Sequence, residues 1–389
     1  MEILKKIKIK AKNFFERVCY KFDVIPIEKN VNNTQYKKNC LLSYVNYPFK
    51  IEDVPNVHQH VWQVKEIARQ LSVYGYNVDA AQFNSTKLLL TKKYDLIIDI
   101  VPTKFPEIKR HMNKGCKTIA YFTTSNPSFQ NSAEKARINA LEKRRGVEVE
   151  AQRQDRPYTR EIENYDAYFM IGNSYNWKTY TDEFDLKEPF YIKNTGHKQE
   201  YRFDKSKKKK TNFIYFGSRG QVHKGLDLLL EVFSEDGFPC DLYVCGNFKS
   251  EKDFEEVYYK ELYETSNIHP VGFVSIESEQ FKELTESCVY SIIPSSSEAN
   301  CGAVLTTMSA GLIPICSYEC GFEEDEVIHL KDCSIETIRD TVLEYAQKDD
   351  EWVKSKSKIS YDIIQERYSK KNFVESLSVA LDGVLNKEK

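Results

Sequence analysis

The chain has 389 residues, more than one ordinary core needs and enough for two domains. Hydrophobic residues make up 41% and charged residues 29%, the balance of a globular chain rather than a disordered or membrane-spanning one. Lys plus Arg total 56 against 58 Asp plus Glu, so no global basic field points to nucleic acid, and none is expected as a partner.

The opening stretch, "MEILKKIKIKAKNFFERVCYKF", interleaves Ile3, Leu4, Ile7, Phe14, Phe15, Val18 and Phe22 with Lys5, Lys6, Lys8, Lys10, Lys12, Arg17 and Lys21. On a helix this sets an apolar stripe beside a basic face, which suits an anionic membrane surface; a frayed terminal helix with solvated charges accounts for the same residues. The sequence holds no run of about eighteen apolar residues and no cleavable signal pattern. Residues 1–38 are therefore read as a basic amphipathic segment, and the protein as cytoplasmic with a possible peripheral attachment to the inner face of the membrane.

From "NCLLSYVNY" onward, short apolar runs alternate with amphipathic stretches, the pattern of β-α units around a mostly parallel sheet. "HQHVWQVKEIARQLSVYGYNV" places Val61, Val64, Ile67, Ala68 and Leu71 on one helical face and stops at Gly75. "NVDAAQF", "YDLIIDIV", "KTIAYFTT", "YDAYFMIG" and "PFYIKNTG" read as strands, and "NSAEKARINALEKRRG" as a helix ending at Gly146. Together they make a Rossmann-like domain over residues 39–196. The polar "HKQEYRFDKSKKKKT" is a linker, 197–211, whose run Lys207 to Lys210 is a solvated face or an anion contact. The alternation then restarts through "NFIYFGS", helix "KGLDLLLEVF", "DLYVCG", helix "DFEEVYYKELYE", "NIHPVGF", helix "ESEQFKELTES", "VYSIIPS", helix "CGAVLTTMSAG" and "IPICSYE". This is a second Rossmann-like domain over 212–365. A last segment, 366–389, spaces Phe373, Leu377, Ala380, Leu381 and Val384 along one helical face.

The ten cysteines are scattered, without a CxxC pair or zinc-ligand spacing, and several sit in strand-like runs, as Cys245 and Cys316 do. A reducing compartment and no metal site follow as expectations. Two open α/β sheets in tandem imply a facing cleft, with ligands outside the carboxyl ends of the strands. The loop after "NFIYF" is "GSRGQVHKGLD", in which Gly217 and Gly220 free the backbone while Arg219 and Lys224 supply two cations, a combination that suits an anion. After "VYSII" comes "PSSSEANCGAVLTTMSAG", a polar turn with one carboxylate, Glu298, before a helix.

"GSRGQVHKGLDLLLEVF", "VCGN", "VGFVS" and "PSSSEANCGAVLTTMSAGLIPI" occur in an order and spacing that resembles the C-terminal half of retaining GT-B glycosyltransferases of the group 1 type. The resemblance implies two Rossmann-like domains facing each other across a cleft, an acceptor domain first and a nucleotide-sugar donor domain second. It implies that Arg219 and Lys224 hold the donor diphosphate, with Gly217 and Ser218 beside them. Gly272, Phe273 and Val274 would meet the nucleotide base, and Glu298 the sugar hydroxyls, with Asn300, Cys301, Gly302 and Ala303 facing sugar or phosphate. A carboxylate in that place accepts two hydroxyl hydrogen bonds, each worth roughly 1.5–3 kcal/mol, although a helix cap would also explain Glu298. The final helix of relatives returns to the first domain.

The sequence departs from the family in three places. The second glutamate expected eight residues after Glu298 is Thr306, whose hydroxyl lacks the reach of a carboxylate. The first loop, "PFKIEDVPNVHQH", has no glycine, leaving His58 or His60 as acceptor-side candidates. "TTSNPSF" offers Thr123, Thr124, Ser125 and Asn126 where relatives often carry a histidine or acid. The resemblance implies transfer of a sugar from a UDP- or GDP-linked donor to a glycan or lipid-linked acceptor in cell-surface polysaccharide synthesis, with no cofactor and no divalent metal. The alternative is a non-catalytic homologue acting as a binding or partner subunit.

Overall fold

The computed structural model describes residues 24–51, 58–201 and 203–385. The basic segment 1–22, most of the glycine-free loop before His58, and the last four residues lie outside the described residues. The first domain runs β1 (Lys38–Tyr44), α1 (Gln59–Val73), β2 (Tyr76–Gln82), β3 (Tyr94–Asp99), α2 (Phe105–Lys109), β4 (Met112–Phe122), α3 (Pro127–Arg145), β5 (Ala167–Met170), α4 (Ser174–Thr181) and β6 (Phe190–Tyr191). The second continues with β7 (Lys209–Phe216), α5 (Leu226–Phe233), β8 (Asp241–Cys245), α6 (Lys252–Val257), α7 (Tyr259–Glu264), β9 (Ile268–Pro270), α8 (Glu279–Ser287), β10 (Cys288–Ile293), α9 (Gly302–Ser309), β11 (Ile313–Cys316) and β12 (Ile328–His329). Three helices close the chain: α10 (Ile335–Ala346), α11 (Asp350–Arg367) and α12 (Lys370–Leu385).

Among the described residues the strands form two six-stranded sheets, ordered β2-β1-β3-β4-β5-β6 and β12-β11-β10-β7-β8-β9. Their pairings are parallel. Helices cover both faces of such a sheet, so a central strand such as β10 is buried at every position and reads as a continuous apolar run. The chain reverses its direction of travel across the sheet between β1 and β3 in the first domain and between β7 and β10 in the second. A crevice opens at such a reversal, outside the carboxyl ends of the strands.

Several local features differ from the sequence reading. "DFEEVYYKELYE" is two short helices, because Tyr258 leaves helical geometry to bury its ring beside Phe254 and to donate its hydroxyl to Glu231 Oε1 at 2.7 Å. The unforeseen α4 is set by a reciprocal cap between Asn173 and Asn176 and by the buried rings of Trp177 and Tyr180. Strand β7 starts at Lys209, inside the stretch read as linker, and Lys208 donates to the carbonyls of Thr285 and Cys288 at 2.9 and 2.8 Å. Here Lys208 serves the start of the central strand β10.

Each domain lends a helix to the other. Phe373, Leu377, Ala380 and Leu381 of α12 are buried in the first domain's core with Val64 and Ile67, and Phe373 meets the Trp62 ring edge to face at 5.5 Å. In the opposite sense, Leu141 of α3 belongs to the second domain's core. Arg144 of α3 donates to Asp227 Oδ2 at 2.6 Å, while Arg145 pairs with Glu261 at 2.7 Å and lies over the Tyr258 ring. Truncating Phe373→Ala is expected to cost about 3–5 kcal/mol in denaturant unfolding, the range for a fully buried aromatic.

Candidate functional site

The loops after β7 and β10 flank the crevice of the second sheet. They are pressed together at Gly225, which has φ +75° and would place a side-chain Cβ 2.5 Å from the Pro294 carbonyl oxygen. That contact aims the neighbouring Lys224 at the turn after β10, where its Nζ forms an ion pair with Glu298 Oε1. Lys224 is buried, and Glu298 is nearly so. Burial pushes the Glu298 carboxyl up, but Lys224, Arg153 and His223 together outweigh it and bring the carboxyl down to about 2. Burial likewise pulls the Lys224 ammonium down, and Glu298 overrides it, so Lys224 holds its proton. His223 is pushed down to about 4, chiefly by burial, and is neutral near pH 7. Its Nε2 lies 2.7 Å from the Ser297 carbonyl. The site is thus an ionised acid beneath permanent cations.

The turn carrying Glu298 is held by its main chain to the first domain. The Pro294 carbonyl accepts from Arg137 at 2.9 Å, and the Glu298 carbonyl accepts from Ser125 Oγ at 2.7 Å and Asn176 Nδ2 at 2.8 Å. The Asn300 carbonyl accepts from Asn194 at 2.9 Å, and that of Gly302 from Gln59 at 3.3 Å. The carbonyls anchor the turn, and the Glu298 side chain takes no part in this: it pairs with Lys224 and accepts from Ser295 Oγ at 3.4 Å. Asn300 holds a left-handed φ of 39°, fixed by its side-chain bond to the Gly321 carbonyl.

Of the residues read as a converging set, Lys224 and Glu298 meet. Arg219 is exposed, and its Nε donates to Gln152 Oε1 at 3.1 Å. The second cation facing Glu298 is Arg153 of the first domain, in the connection between α3 and β5. Gly217 continues the ladder, its amide donating to Cys245 at 2.8 Å, and Ser218 is exposed. The amides of Gly220 and Gln221, which a loose anion loop would present, are held by the buried Glu251 carboxylate at 2.7 and 3.0 Å. Gly272 accepts from the Gly246 amide at 3.0 Å, Phe273 projects outward at 77% exposure, and Val274 is buried in the core.

In the turn itself, the Cys301 amide is spent on the Cys320 carbonyl at 3.0 Å and its thiol is buried, whereas Gly302 and Ala303 open α9. The Thr306 hydroxyl donates back to the Gly302 carbonyl at 2.7 Å. Asn126 is turned inward: its side chain caps α3 and donates to the Thr179 carbonyl at 3.0 Å and to Glu183 at 2.9 Å, so it faces no opening. His58 caps α1, and its pKa is lowered by burial, then by Arg153 and Lys224, which places it toward the same cleft. His60 lies farther along α1 with Nε2 3.0 Å from the Tyr47 hydroxyl, and burial with His58 brings it down to about 3. Among the described residues, no three His, Cys, Asp or Glu side chains gather as a metal-holding group. Arg153, His223, Glu251 and Asn176 were not singled out from sequence; the polar "AQRQDRPYTR" that holds Arg153 has no periodicity to mark it.

The Glu298–Lys224 pair yields a stability expectation. The folded carboxyl titrates near 2 against 4.5 for a free glutamate, so its contribution is complete above pH ~4.5 and is lost as pH falls toward 2. In urea titrations across that window, Glu298→Gln is expected to flatten the acid loss. Lys224→Met, which strands the carboxylate, is expected to cost roughly 3–5 kcal/mol at pH 7.

Comparison with known proteins agrees with this architecture. Residues 197–364 match the model of the family "Glycosyl transferases group 1". Sucrose-phosphate synthase from Thermosynechococcus elongatus superposes with a TM-score of 0.62 at 12% identity, covering 89% of this chain and 98% of that one. HepE from Anabaena, solved with UDP and glucose, gives 0.56 at 9% identity, covering 89% of this chain and 100% of that one. The same protein solved with UDP-glucose gives 0.57. No curated protein matches the chain in sequence. The second domain, residues 197–364, is thus similar to the glycosyl transferases group 1 family, and the whole chain has the two-domain GT-B fold.

Proposed function

We propose that the protein is a nucleotide-sugar-dependent glycosyltransferase that moves a hexose from a UDP- or GDP-linked donor to a glycan or lipid-linked acceptor in cell-surface polysaccharide synthesis, with retention of configuration. The observation that carries this reading is the buried Lys224–Glu298 pair at the sheet's reversal point, with Arg153 facing it from the other domain. A donor diphosphate brings its own anionic partner for Lys224, which frees the Glu298 carboxylate to accept the sugar's hydroxyls. The bond from the sugar's anomeric carbon to the diphosphate oxygen breaks, a bond to the acceptor oxygen forms on the same face, and the acceptor's proton passes to the departing diphosphate. Lys224 and its neighbouring cations stabilise the charge that grows on that diphosphate, without a divalent metal in this reading. Exposed Phe273 offers a face to the base.

The non-catalytic alternative is favoured by two observations. Thr306 spends its hydroxyl on its own helix, and Glu251 already fills the amides of the loop after β7. Turnover separates the readings.

Purified protein is expected to gain several degrees in unfolding midpoint with one of UDP or GDP, and to release that diphosphate from the matching nucleotide sugar. Lys224→Ala and Glu298→Ala are expected to lower kcat/KM by about a hundredfold or more. Nucleotide binding without any transfer or donor hydrolysis would establish the binding-subunit alternative. For the membrane, deleting residues 1–22 is expected to weaken sedimentation with anionic vesicles while the unfolding midpoint stays in place; equal binding by the truncated chain removes the peripheral attachment.

A further inference from the structure

We infer that Arg153, delivered by the first domain, is a diphosphate-binding residue of the cleft, so that the donor is held across the domain boundary rather than by the second domain alone. The inference rests on the donor reading above and adds a residue to it.

The main chain around Arg153 is fixed, whereas its side chain is left unused. The Arg153 amide donates to both oxygens of Glu134 at 2.9 and 3.0 Å, and the Gln152 amide donates to the same carboxylate at 2.9 Å. The Arg153 carbonyl accepts from Gln130 at 2.7 Å, and the Asp155 amide donates to Asn131 at 2.9 Å. All of these anchors sit on α3, the helix whose far end is tied into the second domain by Arg144 and Arg145. The segment is therefore positioned against the second domain from both directions. Its neighbour Gln152 receives Arg219, the exposed cation of the loop after β7.

The arginine stem crosses that loop at Gly220, where a Cβ would lie 2.6 Å from Arg153 Cγ. Only a glycine, here at φ +90°, leaves room for the crossing. Beyond it, Arg153 Nε is buried and meets no acceptor among the described residues. Its charge bears on Glu298, Lys224 and His223 of the second domain and on His58 of the first. Lys224 is already engaged by Glu298, whereas Arg153, the other cation that bears on that carboxylate, has donor capacity to spare. A planar guanidinium with an unmet N–H is matched to two phosphate oxygens, and a buried donor of this kind is costly until an acceptor arrives.

The test uses the full chain, with UDP, GDP, uridine and guanosine as probes in titration calorimetry. Arg153→Gln is expected to weaken whichever nucleoside diphosphate binds by roughly tenfold to a hundredfold, the worth of one charged hydrogen-bonding group, while the matching nucleoside changes by less than about threefold. Arg153→Lys, which keeps the charge but loses the fork, is expected to recover part of the loss. The unfolding midpoint of the ligand-free variants should stay close to wild type, because the Nε gives up no acceptor and the arginine's attraction for Glu298 is opposed by its repulsion of Lys224. Arg153→Gln binding the diphosphate within about twofold of wild type, or losing nucleoside and diphosphate alike, overturns the inference while leaving the glycosyltransferase reading intact. Wild-type protein that binds neither diphosphate overturns both.

Discussion

The turn from Pro294 to Gly302 belongs in sequence to the second domain but is hydrogen-bonded through its carbonyls to the first. Arg137, Ser125, Asn176, Asn194 and Gln59 reach it from separate elements of the first domain. Main-chain acceptors buried at a domain boundary need such donors, since each unmet carbonyl carries a desolvation cost of roughly 1–3 kcal/mol. The arrangement fixes the turn without using the Glu298 side chain. The carboxylate is thereby placed where the loop after β7 brings Lys224, and the crevice acquires its ion pair.

The electrostatics of the crevice follow from that placement. Glu298 stays ionised at a depth where an isolated carboxyl would take up a proton, because Lys224 and then Arg153 favour its charged form. Two internal carboxylates stand on groups that would otherwise attract an anion: Glu298 on Lys224, and Glu251 on the amides of Gly220 and Gln221. The two differ in kind. Glu251 satisfies main-chain donors and shapes the loop, whereas Glu298 is one side of a pair of side chains that can be parted by a stronger anion. Arg153 has no such internal partner on its Nε.

Reciprocal helices give the two domains a shared boundary instead of a simple hinge. Helix α12 completes the first core with Phe373 and Leu377, while α3 sends Leu141 into the second and lays Arg144 and Arg145 on α5 and α7. The same α3 holds the Arg153 segment through Glu134, Gln130 and Asn131. A single helix thus binds the domains and positions a cleft residue. At the start of α1, burial and then Arg153 and Lys224 lower the pKa of His58, whereas His60 turns to the Tyr47 hydroxyl.

Much of this was written into the local sequence. Apolar runs bounded by polar turns determined the strands of both sheets except the two-residue β12, the stripe at Phe373, Leu377, Ala380 and Leu381 marked α12, and the loops holding Lys224 and Glu298 stood out as a cation and an acid just past strand ends. These signals are local because burial of a strand or helix face depends on its own residue spacing. Tertiary structure decided what spacing does not encode. It set Arg219 out on Gln152, turned Asn126 into a helix cap and folded Thr306 back on its own helix, choices made by whichever acceptor lay nearest. It also brought Arg153, 71 positions before Lys224 in the chain, to the same acid, since long-range charge contacts are fixed by how the domains pack and leave no periodic trace in the residues that make them.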